Sequence, residues 1–132
     1  MNTSARIHWV RVLMGGFLAE VSVFAVVIPL FLLYGQHPLL YAAPAASLVM
    51  CFLFALWVGR RVDSHLVLHG ILVGVVATLL YVGATLARPE PFAYLVAHAL
   101  KILGGAAGGF VSGQRREARA DETTATKVPT AR

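Results

Sequence analysis

Four runs of about twenty apolar residues follow one another along this chain, and a hydrocarbon slab roughly 30 Å thick takes about that many to cross as a helix, at about 1.5 Å per residue. The runs are Val12 to Leu33, Leu39 to Val58, Leu66 to Ala87 and Phe92 to Ser112. With 58% hydrophobic and 13% charged residues, too little polar surface is left to wrap a water-soluble core. A barrel strand needs only about 10 residues of alternating character. These runs are twice that and apolar on all sides, as in Leu48 to Val58. The connections Tyr34 to Pro38, Gly59 to His65 and Arg88 to Pro91 are short, which makes sequential helices antiparallel neighbours. The expectation is an all-α integral membrane protein: an up-down bundle of four transmembrane helices over residues 1–113, then a polar, largely disordered tail over 114–132.

Arg6 and Arg11 ahead of an apolar run, with small residues at Ala42 to Ala46, have the outline of a secretory leader. The run is longer than the roughly 7–15 residues of a leader core and contains Glu20, so a retained first helix is expected. The single Cys51 excludes an internal disulfide and reads as a small packing residue.

Lysine and arginine counts in short loops orient such a chain. Arg6, Arg11, Arg60, Arg61, Arg115, Arg116, Arg119, Lys127 and Arg132 fall on one side, against Arg88 on the other. That bias predicts both termini in the cytoplasm and residence in the inner (plasma) membrane. Trp9 and Trp57 at one boundary, and Tyr34, Tyr41, Phe92 and Tyr94 at the other, form the expected aromatic belts. The net charge of +5 is therefore a topology signal that also draws acidic headgroups, and it carries no implication of nucleic acid.

Glu20, His69, His98 and Lys101 lie inside the spans, where a charge costs about 2.5–3.5 kcal/mol and so faces protein or water. Glu20 lies about 12 Å from the basic boundary, and Lys101 about 16 Å from it, on helical rise. A flexible lysine covers that difference, and first and last helices are commonly neighbours in a four-helix bundle, so a Glu20–Lys101 pair is expected. It reads either as a structural pair that fixes helix register, with His98 assisting from one turn away, or as a proton or cation site whose partner changes during transport. A third arrangement separates the two groups into different cavities or an oligomer interface.

Small residues line several faces. In the fourth run Tyr94, His98, Lys101, Gly105, Gly108, Ser112 and Arg115 share one stripe, and Gly104, Gly105, Gly108 and Gly109 form two overlapping GxxxG patterns. The third run places Gly70, Gly74, Ala77, Tyr81 and Ala84 together; the first places Leu13, Gly16, Glu20, Val23 and Val27. Such faces predict close packing, within the chain or between copies. Pro29 predicts a kink in the first helix, Pro44 is tolerated early in the second, and Pro89 and Pro91 bracket a loop.

Gly15-Gly16-Phe17-Leu18-Ala19-Glu20-Val21 resembles the first helix of the small multidrug resistance transporters, also four-helix chains of similar size. The resemblance implies that Glu20 is a shared proton and cationic-drug site. It covers fewer than ten residues. A Gly-Arg-Arg-Val-Asp segment at Gly59 to Asp63 is similar to a loop of that family but follows the second helix rather than preceding the fourth. Lys101 and the strong charge bias have no counterpart in the family pattern.

His65 and His69, four apart with Asp63 before them, have metal-ligand spacing but no third ligand from an HExxH or cysteine pattern. His65 then belongs at the headgroup level, and His69 bonds to a neighbouring helix. No cofactor is expected. Apart from Ser47, Thr78, Ser112 and the histidines there is no intramembrane nucleophile with a base at hand, so a non-enzymatic role follows. The expected function is a packing or accessory subunit of the bilayer, associating with itself or a larger complex. The alternative is a proton-coupled small-molecule or cation transporter using Glu20.

Overall fold

The computed structural model describes residues 7–86 and 92–126. Arg6, Ala87, Arg88, Pro89, Pro91, Lys127 and Arg132 lie outside those residues. The fold is all-helical: α1 (Trp9–Tyr34), α2 (Leu39–Gly59), α3 (Leu66–Ala84) and α4 (Phe92–Thr126), each containing a stretch long and apolar enough to cross a membrane. At about 1.5 Å per residue, the 19 residues of α3 and 21 of α2 span about 29 and 32 Å. Large apolar side chains such as Leu32, Leu33, Leu79 and Leu103 point outward, a distribution that suits hydrocarbon and not water.

Three boundaries differ from the sequence expectation by three residues or more, the first being the start of α1 at Trp9 rather than Val12. Helix α3 ends at Ala84, and Thr85 and Leu86 form a turn. Helix α4 runs on from Ser112 to Thr126, through residues where a largely irregular tail is expected. The extension is rich in Ala, Arg, Gln and Glu, all strong helix formers. It also propagates from an existing helix, so no new nucleus is required. Helix α1 passes unbroken through Pro29, and Pro44 lies inside α2.

Glycine decides which helices touch. On α4, Gly104 and Gly108 lie against the backbone of Leu48 and Phe52 in α2, while Gly105 and Gly109 lie against Gly70 and Leu66 in α3. The two overlapping GxxxG patterns thus serve two different neighbours in the same chain. Helix α1 packs on the other side of the α2–α3 pair, with Gly15 against Val58 and Val73, and Gly16 against Val76 and the Val73 carbonyl. Helices α1 and α4 make no close backbone contact among the described residues, so they occupy opposite corners of the bundle. This corrects the expectation that first and last helices adjoin. The buried face of α1 is Val12, Gly15, Gly16, Ala19, Glu20 and Val23; Leu13, expected on that face, points outward.

Val12, Val58, Val62 and Val73 form an apolar core at one end of the bundle. A second cluster, Ala19, Cys51 and Ala77, is made of small side chains at the level of Glu20. Replacing Gly105 by Ala drives a methyl into the Gly70 carbonyl, and shifting packed backbone costs about 1–3 kcal/mol. A methyl on Gly83 meets nothing within 4 Å, and Gly to Ala inside a helix gains about 0.5–1 kcal/mol. Thermal unfolding in detergent is expected to show Gly105→Ala melting below, and Gly83→Ala at or above, the parent chain.

Candidate functional site

At the centre of the bundle the Lys101 ammonium donates to Glu20 Oε2 at 2.7 Å. Lys101 is 1% and Glu20 3% exposed, so neither charge is solvated. Because α1 and α4 stand at opposite corners, the lysine stem crosses the core to reach its partner. Small side chains at this level (Ala19, Cys51 and Ala77, with Ser47 and Gly74 nearby) leave room for it. The ammonium also lies 4.7 Å from the centroid of the Tyr81 ring, a cation–π contact that adds to the ion pair. Glu20 Oε1 has no hydrogen-bond partner among the described residues.

Tyr81 organises the region beyond the pair. Its ring stacks on Phe24 at 5.9 Å and on Tyr94 at 6.2 Å, and meets His98 edge-on at 5.0 Å. His98, expected beside the ion pair, therefore packs on the aromatic group above it. These side chains wall a cleft of about 260 Å³ that is lined also by Val27, Phe31, Ala43 and Ser47. The charged side chain on its wall is Lys101, not Glu20. Sequence reading missed this cleft, because helical phase marks Tyr81 and Tyr94 as inward-facing without showing that they converge.

The histidine pair is placed differently. His65 is exposed and takes a left-handed backbone (φ 50°) where the chain turns into α3. Its carbonyl accepts both the His69 N–H at 3.0 Å and the His69 Nδ1–H at 2.9 Å. With Nδ1 donating, Nε2 accepts from the His8 N–H at 3.2 Å, which fixes a neutral tautomer. His69 thus ties the start of α1 to the start of α3, and both ring nitrogens are engaged. Asp63 instead meets Arg116 at 3.3 Å, an exposed pair of little energetic weight. Among the described residues no three His, Cys, Asp or Glu side chains gather into a possible metal site.

In comparisons with known proteins, no family model, no curated protein and no solved structure matches this chain. The likeness of Gly15 to Val21 to the small multidrug resistance transporters therefore carries no family assignment.

Removing one member of a buried ion pair strands the other, at about 3–5 kcal/mol, whereas an uncharged pair of similar volume is close to neutral. Glu20→Gln and Lys101→Met are each expected to lower stability in detergent by about that much, with the double variant recovering more than half of the loss. Two tolerated single changes would show that the charges do not hold the bundle together.

Proposed function

We propose that this chain is a non-enzymatic bundle of the inner membrane, a packing or accessory subunit whose four helices are locked in register by Glu20–Lys101. The observation that carries the reading is that ion pair, buried on both sides and joining the two helices whose backbones make no close contact among the described residues. A charge pair placed there penalises any slip of α1 against α4, the usual service of buried polar groups that specify one arrangement. The topology proposed with it is up-down-up-down with both termini cytoplasmic. Supporting that orientation, Arg11, Arg60, Arg61, Arg115, Arg116 and Arg119 follow or precede the same ends of the spans. The proposed partners are the lipid bilayer and either a second copy or a larger membrane complex. The glycine faces no longer argue for self-association, since α4 uses both of its edges internally. A single monomeric species across several mild detergents would remove a second copy as the partner.

One observation favours a second reading, the cleft that reaches the ion pair. A carrier working at this site loads an anion rather than a cation, because Lys101 lines the cleft. A proton on Glu20 releases the ammonium, and the negative group of an apolar or aromatic solute replaces the carboxylate. Proton and anion enter together, leaving the core as neutral as before. Glu20 is met by Lys101 in that exchange, while His98 from α4, Tyr81 from α3 and Ser47 from α2 line the cleft on the lysine's side.

Proteoliposomes separate the two readings when challenged with benzenesulfonate, which does not cross bilayers as a neutral acid. The register-lock reading predicts no sulfonate-dependent proton movement. Proton uptake that follows the sulfonate and vanishes in Glu20→Gln would replace it with the carrier reading, and proton release driven by a lipophilic cation would reverse the charge assignment as well.

A further inference from the structure

Ser112, Arg115, Arg116 and Arg119 recur at steps of three and four, so they share one face of α4. Because α4 stays helical to Thr126, the phase holds beyond the apolar slab. Ser112 sets where that face points: its hydroxyl donates to the Leu56 carbonyl at 3.2 Å and lies against Gly59. The three arginines consequently stand over the end of α2, where Arg60 follows the last helical residue. Together Arg60, Arg115, Arg116 and Arg119 line a cavity of about 310 Å³ whose inner wall is Leu56, Gly59 and Ser112. Asp63 engages Arg116 from the α2–α3 connection. Glu117, on another face of α4, lines a separate groove with Leu66 and Gly109.

We propose that this cavity binds the phosphodiester headgroup of an acidic phospholipid in the leaflet at that end of the bundle. Guanidinium groups present planar forks that match phosphate oxygens in pairs, and basic pockets between transmembrane helices hold such headgroups. The volume lies at the small end of ligand pockets, the scale of a headgroup. Depth agrees: the arginines begin where the apolar part of both helices stops. A second feature points to lipid rather than a free anion. Val49, Leu53, Leu56 and Arg60 lie in one phase on α2, so an exposed apolar strip (Val49 47%, Leu53 48%) leads along the helix to the arginine. A headgroup in the cavity thus has an acyl track beneath it. Arg61, next in the chain, faces elsewhere and covers the Trp57 ring at 4.2 Å.

That neighbour supplies the control. The full chain is purified in mild detergent and offered diphosphatidylglycerol, phosphatidylcholine, or inorganic phosphate at matched concentration. Retained lipid is read by native mass spectrometry and protection by thermal unfolding. Diphosphatidylglycerol is expected to be retained and protective over phosphatidylcholine, and phosphate to protect little. Arg60→Gln and Arg119→Gln are each expected to weaken retention about fivefold, while Arg61→Gln, with the same charge loss, changes it less than about twofold. Retention is also expected to fall between 0.1 and 1 M salt. Equal losses in Arg60→Gln and Arg61→Gln would reduce the site to diffuse charge attraction and overturn the proposal. So would equal retention of phosphatidylcholine, or protection by phosphate alone that matches the lipid.

Discussion

A single ion pair sits where a charge is hardest to keep, and much of the bundle is arranged around it. Taking carboxylate and ammonium out of water costs several kcal/mol for each, and only close geometry and further polar or polarisable contacts recover it. Here Lys101 has Glu20 Oε2 at 2.7 Å and the face of Tyr81 at 4.7 Å. The surrounding side chains are small, which lets a long stem through. Among the described residues the second carboxylate oxygen has no hydrogen-bond partner, so the pair is well matched at one oxygen and under-satisfied at the other. That imbalance keeps a structural and a proton-exchanging role chemically close.

The pair crosses the bundle because glycine has already assigned the short contacts. Without a hydrophobic drive between helices in lipid, close backbone approach is what van der Waals packing has to work with. Helix α4 offers two glycine edges, at Gly104/Gly108 and at Gly105/Gly109, and α2 and α3 take one each. With both flanks occupied, α1 is left to the far side, seated by Gly15 and Gly16. Electrostatics then supplies the link that packing does not, between the two helices held apart. Around the cleft the diagonal is bridged only by side chains, and the aromatic group of Phe24, Tyr81 and Tyr94 bounds the space that remains.

Single-residue properties that depend on depth and phase were legible in the sequence. Span length, the inward stripe of α4 and the matching depths of Glu20 and Lys101 all follow from rise and period, and the ion pair they predict is present. Properties that depend on which helices adjoin were not. Overlapping GxxxG patterns do not say whether their two edges meet one neighbour, two neighbours or a second copy. The diagonal placement of α1 and α4, the convergence of Tyr81 with Tyr94, and the outward turn of Leu13 all depend on that choice. That His69 bonds to a neighbouring helix was legible in the sequence, but its partner, the backbone N–H of His8, was not, because any residue but proline at that position carries the same donor. The helical extension to Thr126 was legible in propensity but outweighed by the polarity of the segment.

One helical face of α4 carries four kinds of chemistry in sequence, and depth alone separates them. Tyr94 and His98 meet the cleft, Lys101 meets Glu20, Gly105 and Gly108 meet backbone, and Arg115 and Arg119 stand over the end of α2. A face that must stay small and buried within the hydrocarbon is free to become basic once it leaves it, because water and headgroups then meet the cost of the charge. The change happens at Ser112, whose hydroxyl caps the last close approach to α2. Continuity of phase across that point sends the arginines toward α2 and Arg60 rather than away from the bundle. The same periodicity that seats α4 against its neighbours therefore also concentrates the positive charge at one end of a single interhelical groove.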